Sequence, residues 1–566
     1  MAGRSAATEP GRAPGGPSAR LDSWKEIAAY LKRSTRTVRR WERQEGLPVH
    51  RHLHGKRSSI YAFAHEIDTW LIGRRVTEGA GQPSLGHAPQ PSAGPPPETP
   101  QKDRPARPLI LAVLPLRNLT GDLEQERFAD GLTEELIAEI GQCCPKRLRV
   151  IALTSVVQYK QSPKSIEQIA RDLGADYILE GGVRRYGRRV RLTARLIAAS
   201  DQAHIWADSY EVQLPPIFSL QQALARELAD SLSSVLKVRP SQGRRPDDAE
   251  STAAHSAYLE GRSYFLPTEE DIKKKLEYFH LAIERDPRFA RSYAELALVY
   301  SRRLYRDFPP IVTLSRIKER ALEAMKLDPK LAQVYTAMAA SHLFGAWNWA
   351  KAEASSRRAL ELNPSDAWAR IVRAAYFLVI GEPQKATEEL RQAHVVAPHS
   401  LEQGMWIATF AYFARRYDLA FERCQEVIQL NPSLPAARGF LGLCYAQVGD
   451  YAAALSSCEN ATDLGKDPIA QAAITCSVYA MAGQQGSAER LLKELVAAQE
   501  KRYTRYFFLA QAAAGLGNDQ QTLKWLEKAY EQHDPLLVFL QANPRFEPLS
   551  GLPGFRKLLR RIGLPR

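Results

Sequence analysis

The sequence predicts a multidomain protein with three folded parts: a small N-terminal helix-turn-helix unit with a β-hairpin, a middle α/β domain with a mixed sheet, and a long all-α solenoid. Three observations predict this division. With 566 residues and 45% hydrophobic composition, the chain is long enough for several packed cores. Segments rich in Pro, Gly, Ala and Ser, at residues 1–20 and 76–107, are typical of a disordered arm and a flexible linker. A 34-residue period runs through the C-terminal half.

Small residues mark the 34-residue period, and a second small or apolar residue follows each of them seven positions later. Pro364, Pro398 and Pro432 keep the same phase. A small residue where two helices cross, and a proline that ends the second helix, are what a stacked helical hairpin requires. The first set is Ala352, Ala386, Ala420, Ala454, Ala488 and Thr522, and the second is Ala359, Ala393, Val427, Ala461, Leu495 and Ala529.

The segment LGLCYAQVGDYAAALSSCENA carries the fullest copy of the repeat. In it, Leu441, Gly442 and Tyr445 stand where the tetratricopeptide repeat (TPR) family has its first-helix leucine, small residue and aromatic. The C-terminal half therefore resembles a TPR solenoid. We predict about eight repeats over residues 252–535, followed by a C-terminal cap over residues 536–566.

Residues 21–75 predict two short helices with different faces. Ser23 and Glu26 have the spacing of a capping box at the start of the first helix. In the second helix, TRTVRRWERQEG, Val38 and Trp41 point to one side. The opposite arc carries four arginines, which are Arg36, Arg39, Arg40 and Arg43.

Like charges one turn apart slightly destabilise a helix, so this basic face favours a polyanionic ligand, with a solvated basic face as the alternative. The next segment, LPVHRHLHGKRSSIYAF, predicts a hairpin with a basic tip. The order of helix, turn, helix and basic wing resembles the excisionase and MerR-type winged helix-turn-helix family. Charge agrees with DNA binding: residues 21–75 hold 12 Lys or Arg and 6 Asp or Glu, so their net charge is 12 − 6 = +6, in a chain of net charge +14.

The resemblance implies that the second helix enters the major groove and that the hairpin tip follows the adjacent backbone. The residues expected nearest to base edges are Arg36, Thr37 and Arg40. The residues expected on phosphates are Arg39, Arg43, Lys56 and Arg57. One recognition helix covers only a half-site, so a homodimer on double-stranded DNA is expected.

Three histidines alternate along the predicted hairpin strand. His50, His52 and His54 would lie on one face, at a spacing that could hold zinc or copper. Carboxylate or thiolate partners are not evident nearby, and polar strand residues that face DNA explain the pattern more simply. We therefore predict no metal and no cofactor.

Residues 108–238 alternate strands with helices early and form a meander later, which predicts a mixed sheet. We expect the first helix to begin near Thr133, after a polar loop that holds Asn118, Asp122 and Asp130. The segments AVLPLRNLTGD, FADGLTEELIAEI and ADYILEGGVRRYGRRVRLTARLI resemble the TolB amino-terminal-like (FlgO-like) domain. That resemblance implies a fold and leaves the ligand open.

One face of the hairpin in this domain is basic. Arg189, Arg191, Thr193 and Arg195 alternate with apolar residues along one strand. A solvated sheet surface is the preferred interpretation, and an anion site is the alternative.

The sequence contains none of the catalytic or phosphate-binding motifs that we sought, so we predict no enzyme and no catalytic residues. The favoured hypothesis is a cytoplasmic DNA-binding transcriptional regulator whose α/β domain and repeats receive a protein or ligand signal. The alternative is a TPR interaction scaffold that does not bind DNA and that holds a protein or peptide in the repeat groove. The residues expected to line that groove are Arg370, Arg373, Tyr376 and Trp406.

Targeting signals are also absent from the sequence. The first twenty residues contain no apolar run, and the longest apolar stretch, 109–116, is too short to cross a bilayer. We therefore expect a cytoplasmic protein with no membrane partner.

Overall fold

The computed structural model describes two compact units, one within residues 1–102 and one within residues 103–566. Most of the predicted arm at 1–20, of the linker at 76–107 and of the connector before the repeats lies outside the described residues. These are 20–21, 23–31, 35–44, 47–52, 59–63, 67, 107–121, 123–143, 147–186, 189–213, 230–231, 234–235, 252–264, 269–304, 310–462, 468–501 and 505–564.

The first unit consists of two helices and a small antiparallel sheet. Helix α1 is Trp24–Tyr30 and helix α2 is Thr35–Gln44. The sheet has the order β1-β3-β2. Its strands are β1 (Arg20–Leu21), β2 (His50–His52) and β3 (Ser59–Phe63).

Apolar residues from both helices and from the sheet form the core of this unit. The Ser23 hydroxyl accepts a hydrogen bond from the Glu26 amide at 3.2 Å and donates to the Glu26 carboxylate at 3.1 Å, so it caps α1. Arg20 belongs to β1, where it pairs with Phe63, and thus lies in the sheet instead of the predicted arm. The buried core consists of Leu21, Ile27, Ala28, Leu31, Val38, Trp41, Leu47, Ala62 and Ile67.

The α/β domain has the predicted mixed sheet, with strand order β6-β4-β7-β8-β9 and β5 beside β7. β4 pairs in parallel with β6 and β7, whereas β7, β8 and β9 form an antiparallel meander. The strands are β4 (Leu109–Val113), β5 (Arg117–Asn118), β6 (Leu148–Val150), β7 (Tyr177–Tyr186), β8 (Arg189–Ala198) and β9 (His204–Gln213).

Helices cover the two faces of this sheet unequally. Helix α3 (Leu123–Cys143) packs on one face along β4, β7 and β8. Helices α4 (Leu153–Val156) and α5 (Ile166–Leu173) pack on the other face, near β4 and the start of β7. The far half of that second face, on β7, β8 and β9, is therefore not covered by these helices.

Helix α3 begins at Leu123, ten residues before the predicted start at Thr133, so that prediction is wrong. Apolar residues recur through the extra turns at helical spacing and are buried against the sheet, which explains the longer helix. Asp130 accordingly lies inside a helix and not in a loop, and its carboxylate pairs with the Lys160 ammonium at 2.6 Å. The stripe is Ala129, Leu132, Leu136 and Ile140.

The C-terminal region is a solenoid of helix pairs, and the predicted TPR-like architecture is confirmed. Within the described residues eight pairs follow one another from 252 to 531. The first four are α6 (Thr252–Ser263) with α7 (Glu269–Arg285), α8 (Ala290–Arg303) with α9 (Pro310–Leu327), α10 (Ala332–Ala340) with α11 (Trp349–Leu362), and α12 (Ala367–Val379) with α13 (Pro383–Val396). The last four are α14 (Leu401–Phe413) with α15 (Tyr417–Leu430), α16 (Pro435–Gln447) with α17 (Tyr451–Thr462), α18 (Pro468–Met481) with α19 (Gln485–Lys501), and α20 (Tyr506–Gly515) with α21 (Asp519–Glu531).

The C-terminal segment packs back on the middle of the solenoid as well as on its end. It contains two 3₁₀ turns, Pro535–Phe539 and Pro544–Gly551, and helix α22 (Pro553–Ile562). The Trp349 indole N–H in α11 donates to the Gly563 carbonyl at 2.6 Å. The segment thus contacts a repeat far from the array's last helix pair, in addition to covering that pair.

The α/β domain is docked on the first half of the solenoid. Glu134 on α3 pairs with Arg262 on α6 at 2.6 Å, and Glu135 pairs with Arg291 on α8 at 3.3 Å. Further along the array, the Ala152 amide donates to a carbonyl in the loop after α13 at 2.8 Å. Buried ion pairs and backbone contacts at separate repeats hold these two domains as one compact unit.

None of the helices in the described residues is long and apolar enough to cross a membrane.

Candidate nucleic-acid interface

Helix α2 separates a buried side from a basic side. Val38 is fully buried and Trp41 is 7% exposed in the core of the N-terminal unit. Arg39 and Arg40 are exposed. This division follows from the wheel of the helix, since residues 38 and 41 are three apart and lie on one face.

A cation–π contact holds one of the exposed arginines against α1. The Arg39 guanidinium carbon lies 5.3 Å from the centroid of the half-buried Trp24 ring. Trp24 is itself the first residue of α1, directly after the Ser23 cap. The capped start of α1 and the Trp24 ring therefore limit the positions that the Arg39 side chain can adopt.

The other predicted contact residues are described to different extents. Thr37 is half-buried on α2. Arg36 and Arg43 lie on the same helix, but their side chains are outside the described part of the structure. Lys56 and Arg57, at the predicted hairpin tip, are outside the described residues altogether.

The predicted histidine strand is β2 in part. His50 and His52 pair in register with Tyr61 and Ser59, whereas His54 is outside the described residues. Within the described residues, no group of His, Cys, Asp and Glu is placed to hold a metal ion.

The arginines predicted to line the repeat groove contact the protein's own groups. Arg370 is buried, and its guanidinium donates to the Pro364 carbonyl at 3.1 and 2.9 Å and to the Glu389 carboxylate at 2.9 Å. Arg373 lies 3.3 Å from the same carboxylate. These contacts anchor α12 to α13 and leave Arg370 no exposed surface for a partner.

The aromatic residues predicted for the groove also pack inside the array. The Trp406 ring lies 5.8 Å from the Trp368 ring and 5.5 Å from the Phe410 ring. Tyr376 is half-buried, and burial raises the pKa of its hydroxyl. The structure therefore supports the packing interpretation of these aromatics.

The C-terminal segment fills space between the first helices of several repeats. Phe539 is fully buried, with its ring 5.0 Å from Phe410 and 5.1 Å from Phe413 on α14, and 6.1 Å from Phe344 after α10. Sequence reasoning missed this contact, because the residues involved are more than a hundred positions apart.

An open groove of about 1060 Å³ lies on another part of the array, between α7, α8 and α9. Apolar Ile272, Leu276 and Val312 share its lining with charged side chains such as Arg316. His280 also lines it, and burial, with Arg320 and Arg316 nearby, lowers the pKa of its imidazole. The 34-residue period contains no signal for this groove, because the period reports helix crossings and not the space between outer helices.

Residues 107–240 match a known family, described as the second domain of HilA/YgeH-like transcriptional regulators. A curated protein of Rhizobium meliloti (strain 1021), named "Putative adenylate cyclase 3", is 28% identical over 254 residues, which are 44% of this chain and 42% of that relative. The chain thus spans about 42% of the length of the curated relative that it matches.

Two solved structures are similar to the chain at low identity. PilF of Pseudomonas aeruginosa is 20% identical, with a TM-score of 0.27, over 41% of this chain and 98% of that one. YrrB, described as a TPR protein with an unusual peptide-binding site, is 19% identical, with a TM-score of 0.25, over 34% of this chain and 94% of that one.

The match to the Rhizobium protein contradicts one prediction made from the sequence. We predicted no enzyme because catalytic motifs were absent, whereas this relative is named as a cyclase. The prediction of no enzymatic activity is therefore withdrawn. What the comparisons support is a regulator-type domain beside a TPR-like array.

Proposed function

We propose that this protein is a DNA-binding transcriptional regulator, in which α2 contacts DNA while the α/β domain and the array receive a protein or ligand signal. The observation that carries the proposal is the exposure of Arg39 and Arg40 on the side of α2 opposite the buried Val38 and Trp41. The match of residues 107–240 to a regulator family supports the functional class. A basic helix face of this kind has a favourable electrostatic interaction with phosphates.

The finer proposal is a winged helix-turn-helix unit of the excisionase and MerR type. Its α2 would lie in the major groove, and a homodimer would cover two half-sites. The residues proposed to approach base edges are Arg36, Thr37 and Arg40. The residues proposed to contact phosphates are Arg39, Arg43, Lys56 and Arg57.

The test is duplex binding by the full chain, measured by fluorescence anisotropy over a series of salt concentrations. We expect the Arg39→Ala/Arg40→Ala variant to bind more weakly and to reduce the slope of log K against log salt by about 2, since each phosphate contact contributes roughly 0.9. Stoichiometry from the same titrations should be two chains per duplex site.

The matched control is Lys25→Ala, an exposed charge on α1 of the same unit. It should leave the affinity and the salt slope unchanged. Unaltered binding by the double arginine variant would contradict the proposed role of α2.

A second candidate function is peptide binding by the array, and the groove between α7 and α9 favours it. Val312 is 43% exposed beside Ile272 and Leu276, so the groove offers apolar surface next to charge. We expect Val312→Arg to abolish binding of peptides selected on the full chain from a display library. Leu322→Arg, also exposed on α9 but outside the groove, should retain it, and equal loss in both variants would contradict this candidate.

A further inference from the structure

One face of the α/β sheet is left open by the helices that cover the rest of it. β7 and β8 alternate, so Val190, Leu192 and Ala194 face α3 while their neighbours face the other way. Helices α4 and α5 cover that other face only as far as Ile178. Beyond it lies an exposed set that we call the arginine face, which consists of Arg184, Tyr186, Arg189, Arg191 and Arg195.

The arginine face carries more positive than negative charge. Its four arginines share the surface with two carboxylates, so the net charge is 4 − 2 = +2. Glu180 pairs with Arg195 at 2.8 Å, and Glu211 lies 3.5 Å from Arg189. The two acidic groups are therefore each engaged with one arginine, and two arginines remain.

The remaining arginines lie opposite each other. Arg184 on β7 and Arg191 on β8 are direct partners in the strand register. Like charges at such positions destabilise a sheet, because their side chains start only about 5 Å apart. Glu211 is the register partner of Arg191 on the other side, but its carboxylate contacts Arg189.

The hydrogen bonds of these two guanidinium groups go to neutral oxygens. Arg191 Nε donates to the Ser209 hydroxyl at 2.9 Å, and Arg184 Nη1 donates to the Tyr186 hydroxyl at 2.8 Å. Among the described residues neither forms an ion pair with a carboxylate. Both guanidinium groups thus keep N–H donors and a full charge at an exposed surface.

Tyr186 extends the same surface with a polar group. Its side chain is 55% exposed, and the Arg184 guanidinium lies 5.7 Å from its ring centroid. Because the hydroxyl accepts from Arg184, its own hydrogen stays available to donate. Arginine side chains and tyrosine hydroxyls are common donors to phosphate oxygens in DNA complexes.

We propose that the arginine face is a second DNA contact, which binds the phosphate backbone of duplex DNA through Arg184, Arg191 and the Tyr186 hydroxyl. The inference rests on the proposed function, since that function brings duplex DNA to this chain. A polyanion removes the repulsion between Arg184 and Arg191, and this gives the face its preference for a phosphate backbone over a neutral surface. The contact reads no bases, so it adds affinity that does not depend on sequence.

The experiment measures binding of the full chain to a long duplex of mixed sequence over a series of salt concentrations. Arg184→Ala/Arg191→Ala should weaken binding and reduce the salt slope by about 2, in the wild-type chain and again in the Arg39→Ala/Arg40→Ala chain. Arg184→Lys/Arg191→Lys should retain most of the slope, because it keeps both charges. Arg171→Ala, an exposed arginine of α5 in the same domain that pairs with Glu167, is the control and should change nothing.

The two proposals fail in different ways. If only the α2 variant lowers the slope, the arginine face makes no DNA contact and this inference is overturned while the proposed function stands. If only the sheet variant lowers it, the inference stands and the role of α2 fails. Single-stranded DNA or polyglutamate bound as tightly as duplex, with the same loss in the sheet variant, would assign the face to another acidic partner and overturn the inference.

Discussion

At the scale of single residues, the array keeps titratable groups inside its packing instead of on a free groove. His394 on α13 accepts a hydrogen bond from the Arg423 guanidinium on α15 at 2.6 Å, with Glu426 and His399 nearby. Burial, and then the positive charge of Arg423, lower the pKa of His394 to about 4. The neutral imidazole is therefore the form that the folded array accommodates.

This lowered pKa predicts a pH dependence of stability. In the unfolded chain the imidazole titrates near its model value of 6.5, so between about pH 6.5 and about pH 4 the unfolded state binds more protons. The free energy of unfolding should fall as pH is lowered through that window, by at most about 3 kcal/mol from this group. Denaturant unfolding at several pH values should show a flatter profile for His394→Gln than for the wild type.

The control for this prediction is His204→Gln, because His204 is exposed at the start of β9. Its pH profile should match that of the wild type. If His394→Gln also matches the wild type, the imidazole does not contribute to acid sensitivity.

At the scale of helices, the closest crossing in the array depends on a missing side chain. Gly442 on α16 lies where a Cβ atom would be 2.7 Å from the Cys458 sulfur and 3.0 Å from the Ala454 carbonyl on α17. The small residues of the 34-residue period, such as Ala454, are fully buried at the same crossings. Helix pairs therefore approach each other at a distance that only small residues allow.

We expect Gly442→Ala to destabilise the protein even though alanine has the higher helix propensity. The added methyl group must displace α17, and overpacking of this kind costs about 1–3 kcal/mol. The midpoint of urea unfolding would report the loss. Gly486→Ala, on α19 with no atom within 4 Å of the added carbon, should be neutral or slightly stabilising.

At the scale of the whole second unit, distant repeats are joined to each other. Arg505, at the start of the last helix pair, donates to the Leu304 carbonyl after α8 at 2.9 Å. The C-terminal segment contacts α14 and the turn after α10 through Phe539. A linear array in which each repeat contacts only its neighbours would have none of these contacts.

The fold-back predicts that Phe539→Ala disrupts sites far away in sequence. Truncation of this buried ring should cost about 3–5 kcal/mol, because it leaves a cavity among Phe344, Phe410 and Phe413. Hydrogen exchange should become faster in α10 and α14 as well as in the C-terminal segment. Faster exchange confined to residues 535–564 would contradict a structural connection between the segment and the middle repeats.

Local pattern was sufficient for much of the fold. The 34-residue period predicts the helix pairs, and the alternation in 108–238 predicts a mixed sheet, because both depend on contacts between neighbours in sequence. The start of α3 could not be predicted in the same way. A polar stretch around Asp130 reads as a loop until the sheet and Lys160 supply partners for it.

The candidate sites divide in the same manner. The basic and apolar sides of α2 follow from helical periodicity, so Arg39, Arg40, Val38 and Trp41 could be assigned to their sides from the sequence. The fate of Arg370 could not, since both a groove residue and a buried anchor have the same sequence signature. Only its contacts with Glu389 and Pro364 distinguish the two.

By itself, then, the sequence determined the kinds of domain and the periodic faces of their helices and strands, since these depend on spacings of a few residues. The tertiary structure decided which faces remain available. It shows the α/β domain docked on the repeats through Arg262 and Glu134, the space beside α14 filled by Phe539, and the arginine face left open. The physical reason is that occupancy of a surface depends on contacts between residues that are hundreds of positions apart, and no local pattern encodes them.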